Sequence, residues 1–180
     1  MVKATRESLI KLTIKEITDH GYQNITLRGL AAEINATTGV VYSHFKSKNE
    51  LFSAVTLSLS NDLASRDVYN DFSDSKATLI KILDDVIKWY ETKPNLVHFF
   101  LANPSLNHVF DDNKLELPFF DLIYKHIENI HKQIGHDFNE REMYIRLWSF
   151  IYGYIMLLEQ KMATTNPEFV TKTVELLINE

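Results

Sequence analysis

A chain of 180 residues with 45% apolar and 24% charged side chains has globular composition and is sized for one generous domain or two small ones. It has no cysteine, which excludes disulfides, thiolate nucleophiles and Cys-ligated zinc together. The net charge of −5 is uneven: residues 1–53 carry seven Lys/Arg against five Asp/Glu, net +2, and the remainder twelve against nineteen, net −7. An acidic chain with one basic end can still bind nucleic acid when its cations share a face.

The first element is a helix over residues 4–20, with Leu9, Ile10, Leu12, Ile14 and Ile17 mainly on one side. Gly21 should stop it. Thr26 is a good N-cap for a short second helix through Leu27, Leu30, Ala31 and Ile34; its third position is Gly29, so no capping box is expected. Asn35 tolerates the left-handed conformation of a tight inter-helix turn. Thr37 then caps a third helix whose Val41 and Phe45, four apart, pack back on the first two. Ser47 and Glu50 form an S-x-x-E capping box for a fourth helix running to about Arg66. Two short helices, a tight turn and a capped long helix are the grammar of a helix-turn-helix.

Beyond it, the polar and acidic segment DVYNDFSDSK reads as a link. Residues 76–92 predict an amphipathic helix through Leu79, Ile82, Leu83, Val86 and Trp89. Pro94, Pro104 and Pro118 divide the next region into shorter pieces, one of them over 95–102. Helices follow over 117–134 and 139–162, with a last one after Pro167. The chain is expected to be all-α, with eight or nine helices. The five scattered glycines rule against G-x-G-x-x-G and Walker-type phosphate loops. There is no basic and apolar leader and no stretch that spans a bilayer, so a cytoplasmic protein without a membrane partner is expected.

The stretch Thr26–Phe52, TLRGLAAEINATTGVVYSHFKSKNELF, resembles the DNA-binding head of the tetracycline-repressor (TetR) family. The likeness rests on Thr26, Arg28, Leu30, Ala31, Gly39, Tyr42, His44, Phe45 and Lys48, and covers about residues 6–55. Departures are Asn35 in place of the turn glycine, Ala36 after it, Gly29 in place of an acidic residue, and Thr38 and Ser43 where basic side chains are common. The resemblance implies a DNA-binding head over residues 1–53 and a ligand-binding and dimerisation domain over 54–180. It also implies a homodimer that binds a palindromic operator on double-stranded DNA, most often as a repressor, and is released by a small molecule.

The residue chemistry suits that reading independently. Thr26 and Lys48 are placed near helix N-termini, where free N–H groups favour phosphate, and the Tyr42 hydroxyl can reach another. Thr37, Thr38 and Val40 offer hydroxyls to base edges and methyls to thymine, and Arg28 can reach a guanine or a phosphate. Gly39, Ser43 and His44 complete the candidate DNA-binding set. A small helical interaction module that keeps this fold without binding DNA is the other reading.

Met143–Leu158 is apolar on every side save at Arg146, Ser149 and Gly153, more than one small domain can cover. The last helix adds a narrow seam of Phe169, Val170, Thr173, Val174, Leu177 and Ile178. A dimer interface is therefore expected through Ile151, Ile155, Leu158, Phe169, Val170, Val174, Leu177 and Ile178, a four-helix arrangement that the resemblance also implies. The segment WSFIYGY resembles a pattern of the regulatory part of some family members. Seventeen of 21 aromatic residues follow Ser53. Such clusters are more often core than ligand cage; for the pocket that the resemblance implies, the candidate lining is Trp89, Phe99, Phe100, Phe120, Tyr124, Trp148 and Tyr152. Five of seven histidines lie between His98 and His136, but His126 and His131 are five apart rather than the four of a zinc helix. Hydrogen-bonded or solvated histidines, no metal and no cofactor are expected. No G-x-S-x-G or H-E-x-x-H nominates an enzyme.

Overall fold

A computed structural model describes residues 5–103, 106, 117–134 and 139–179; among them are nine α-helices, one 3-10 turn and no strand. α1 (Arg6–His20) opens in a capping box in which Thr5 Oγ1 accepts from Ser8 N at 3.1 Å and Thr5 N donates to Ser8 Oγ at 2.8 Å. It ends at Gly21, whose φ of +77° lies in the region that side chains with a Cβ rarely enter. α2 (Leu27–Glu33) is capped by Thr26, which accepts from Gly29 N at 3.0 Å. Asn35 turns the chain with φ +52°, the left-handed conformation expected of it. α3 (Thr38–His44) follows Thr37, and α4 (Lys48–Ala64) begins where Ser47 Oγ accepts from Glu50 N at 3.1 Å. The expected box is only half formed there: the Glu50 carboxylate accepts from Lys46 N at 2.8 Å instead of from Ser47.

The described residues fall into two compact units, and the division differs from a cut after Ser53. The first unit holds those up to Asn61 together with those between Lys93 and Leu117. Here α6 (Pro94–Ala102) packs on α1. The reason is aromatic: Phe99, fully buried, meets Phe52 edge-on at 5.1 Å and Tyr22 at 5.6 Å. Polar ties reinforce it, with Asn95 Nδ2 donating to Thr18 O at 3.1 Å and buried Asn103 donating to Phe99 O at 2.7 Å. Phe99 and Phe100, expected in a ligand pocket, are therefore core of this first unit.

The second unit runs from Asp62 to Thr92 and resumes at Pro118. It contains α5 (Ser75–Thr92), α7 (Pro118–Ile134), α8 (Glu140–Glu159) and α9 (Pro167–Asn179), with α5 packed against the other three. The segment expected as a polar link is partly core. Its Asp67–Tyr69 3-10 turn buries Tyr69, whose hydroxyl accepts from Arg66 at 3.1 Å and donates to Asp85 at 2.9 Å. Burial, aided by Asp85, pushes that phenol up to about 12.

Beneath the turn lies His126, fully buried. Its Nε2 donates to Tyr69 O at 2.8 Å, so Nδ1 is left to accept from Ser75 Oγ at 2.9 Å, and the ring stacks on Phe72 at 4.2 Å. Burial holds its pKa below the ordinary histidine value, against the opposing pull of the Tyr69 carbonyl and Asp71. Unfolded histidine takes its proton near ~6.5. Below that pH the unfolded chain binds more protons than the folded one, so stability falls as pH drops from the unfolded toward the folded pKa. Thermal melts of wild type from about pH 7.5 to about 5 should therefore decline, and His126→Gln, which keeps a donor for Tyr69 O, should flatten the decline. Parallel slopes for the two proteins would remove His126 from the account.

The last two helices correct the expected interface. Ile151 and Ile155 on α8 and Val170, Val174 and Ile178 on α9 are all buried within this chain, Val174 completely. Residues 170, 174 and 178 are spaced four apart, so they form the stripe with which a short helix packs on α5 and α8. Leu158 and Leu177 are half-buried, and of the expected set only Phe169 is exposed. The apolar side chains left in solvent on these helices are instead Ile145, Tyr152, Leu157, Phe169 and Leu176. On α8 the first three span about 140° of circumference at 100° per residue, so this helix is buried on one side only. No helix among the described residues is long and apolar enough to cross a membrane.

Candidate nucleic-acid interface

α2 and α3 meet through the Asn35 turn, and Val41 and Phe45 anchor α3 from below, both fully buried as the four-residue spacing demands. That leaves the opposite side of α3 outward. Thr37, Gly39, Tyr42 and Ser43 are exposed, Tyr42 at 54%, and Thr38, Val40 and His44 are half-buried. The Thr37 hydroxyl makes no cap hydrogen bond and so remains available to a partner. Ser43 Oγ instead donates to Val40 O at 2.7 Å. Arg28 is exposed on α2, and Thr26 is exposed but spends its hydroxyl on Gly29 N.

Lys48 sits differently from a free phosphate anchor. Its Nζ donates to Gln23 O at 3.0 Å and lies 5.0 Å from the Phe52 ring centre, and burial lowers its pKa. It therefore ties the start of α4 to the α1–α2 link, with its remaining donors available outward. Behind α3 lies a residue that sequence reading passed over: Arg6 Nη1 donates to His44 O at 2.7 Å and pairs with Glu50 at 3.3 Å. No local pattern signals a bond across 38 positions.

Residues 9–55 match the family model described as bacterial regulatory proteins, tetR family. The chain carries a TetR-family head. Over 53 residues it is also 38% identical to the "Probable acrEF/envCD operon repressor" of Escherichia coli K12, and equally to that of Escherichia coli O157:H7. That likeness covers 29% of this chain and 24% of the relative, so the chain spans about a quarter of the length of the curated relatives it matches. Beyond the TetR-family head, the likeness to solved structures is one of fold. A candidate transcriptional regulator of Pseudomonas aeruginosa PAO1 superposes with a TM-score of 0.67 at 16% identity, covering 97% of this chain and 88% of that one. NalD, the secondary repressor of the MexAB-OprM multidrug efflux pump in Pseudomonas aeruginosa, superposes at 0.62 and 17%, covering 97% and 94%. The multidrug binding protein EbrR does so at 0.59 and 15%, covering 96% and 93%.

In the second unit, α5, α7 and α8 enclose an apolar cavity lined by Leu79, Ile82, Leu83, Val86, Phe119, Ile123, Leu147, Trp148 and Ile151. Of the expected pocket residues it gathers only Trp148. Phe120 stacks on Trp148 at 4.9 Å, Tyr124 meets Tyr144 edge-on at 5.8 Å, Trp89 is half-buried and Tyr152 is exposed. The space open to water is about 20 Å³, room for roughly one molecule. His126 is hydrogen-bonded as described, and His131 pairs with Glu140 at 2.7 Å; His108 and His136 lie outside the described residues. Among the described residues no group of three or more His, Asp or Glu could hold a metal.

Proposed function

We propose that this protein is a cytoplasmic transcriptional regulator, a repressor that binds a palindromic operator as a homodimer and is released by a small molecule. The observation that carries this reading is the outward side of α3: hydroxyls and methyls presented from a head that matches a family of DNA-binding regulators. Two heads in one dimer would address half-sites with centres ~34–36 Å apart when these lie one helical turn apart. Phosphates would be met by Tyr42, Arg28 and the outward donors of Lys48, bases by Thr37, Thr38 and Val40. The exposed apolar residues of α8 and α9 support a second copy of the chain as the partner, since large side chains left in water there would be covered. No catalysis enters this reading.

The effector would enter between α5, α7 and α8. No ionisable side chain lines that cavity, which supports an uncharged apolar molecule. A cavity with room for about one water must widen to admit it, and the ligand acts only through its preference for the widened state.

Binding-site selection from a random pool tests the reading. A consensus with two-fold symmetry is the expected result; failure to enrich any sequence would favour an interaction module. In the same experiment Thr37→Ala should relax the preference at one or two base pairs per half-site, each lost contact costing ~1–3 kcal/mol. Its hydroxyl caps nothing, so the melting temperature should barely move. An unchanged consensus would take Thr37 out of the readout.

A further inference from the structure

We propose that Arg6 is a positioning residue for the recognition helix: braced by Glu50, its guanidinium holds the C-terminal end of α3 and thereby sets the angle at which α3 meets DNA. The inference rests on the DNA-binding reading and deepens it. α3 has seven residues, far below the length at which an isolated helix is stable, so its orientation is decided by its packing through Val41 and Phe45 and by what holds its ends. At the N-terminal end Thr37 makes no side-chain cap bond. At the other end, the last carbonyls of a helix lack partners inside it and carry its negative pole. There Arg6 Nη1 donates to the carbonyl of His44, the last residue of α3, at 2.7 Å.

Three further contacts make this a fixture. The guanidinium carbon lies 4.3 Å from the centre of the ring of Phe45, the fully buried residue that follows α3. Glu50 Oε1 meets the same Nη1 at 3.3 Å, while Glu50 Oε2 accepts from Lys46 N at 2.8 Å in the turn between α3 and α4. Those bonds hold the Glu50 carboxyl below its ordinary pKa. Arg6 thus joins the first turn of α1 to the end of α3 and the start of α4. Its charge faces Glu50 and a carbonyl, and so is partly compensated before any DNA arrives.

That compensation separates the proposal from the simpler idea that Arg6 is a phosphate ligand. Wild type, Arg6→Ala and Glu50→Gln would be compared on two duplexes of equal length, the palindrome selected by wild type and a random sequence. Hydrogen exchange of the Val41–Phe45 amides would be followed without DNA. Arg6→Ala should weaken palindrome binding about tenfold or more, change random-duplex binding less than about twofold, and speed exchange in the last turn of α3 about tenfold. Glu50→Gln should shift the palindrome-to-random ratio in the same direction by a smaller factor. Equal losses on both duplexes, with a salt slope reduced by about one per head, would overturn the proposal in favour of a phosphate contact. So would tighter binding of Glu50→Gln to both duplexes. Unchanged exchange in Arg6→Ala would show that Arg6 does not hold α3. If wild type prefers no sequence, the DNA-binding reading fails by itself, and the exchange measurement still decides whether Arg6 fixes the helix. Both substituted side chains are partly exposed, and Glu50→Gln keeps the size of the residue, so the comparison survives a poorly folding Arg6→Ala.

Discussion

Val174→Glu is expected to destabilise the second unit strongly. Val174 is fully buried where α9 packs on α5 and α8, flanked along its stripe by Val170 and Ile178. A carboxylate there would lose its hydration with no partner among apolar neighbours, and taking up a proton would relieve only part of the penalty. The longer side chain also overfills a packed site. Together these should cost more than about 3 kcal/mol, a large share of the 5–15 kcal/mol that holds a typical protein folded. In a chain of this size that lowers the melting temperature by roughly 10 °C. Thermal melts and urea titrations measure it. A Val174→Glu protein that melts like wild type would show that α9 does not pack through this residue.

Leu176→Glu, two positions away, should do the opposite. Leu176 is 63% exposed in the single chain, so a charge there stays in water and should leave the fold of one chain about as stable as before, any fall in melting temperature reporting only the lost association. In the proposed dimer, Leu176 and its symmetry mate would lie in the covered surface with Phe169, Tyr152 and Leu157. Burial and like-charge repulsion would then oppose association. Light scattering should show a folded monomer where wild type is a dimer. Palindrome binding should fall by about 10²–10⁴, because a monomer loses the effective concentration that links two half-sites. Binding to random DNA through one head should change little. A Leu176→Glu protein that remains a dimer and binds the palindrome tightly would move the interface elsewhere.

The contrast between these neighbours shows where sequence reasoning runs out. Features decided within a few residues were legible: Gly21 and Asn35 at their positive φ values, Thr26 and Ser47 accepting at their helix starts, Val41 and Phe45 on the inner side of α3. Each follows from backbone sterics or from one turn of hydrogen bonding. Helix ends were located to within about three residues for the same reason.

Choices among competing apolar surfaces were not legible. Hydrophobicity says that α8 and α9 must bury something, yet a helix apolar on most sides carries no mark for which side meets its own chain. Packing against α5 assigned Ile151, Ile155, Val170, Val174 and Ile178 to the core and left Ile145, Tyr152 and Leu176 outside. Phe99 joined the unit of α1 through Tyr22 and Phe52, although it follows them by 77 and 47 positions, and Tyr69 was drawn inward by His126 and Asp85 from a segment that reads as a polar link.

The sequence alone determined the helical class, the order of the helices and the helix-turn-helix grammar of the head, because those depend on local sterics, capping and the 3.6-residue period. Only the tertiary structure decided which apolar stripe became core, that Lys48 ties α4 to the α1–α2 link, and that Arg6 closes the end of α3. Each of these is a contact between residues far apart in the chain, and such contacts are selected by the packing of the whole unit, which no window of the sequence contains.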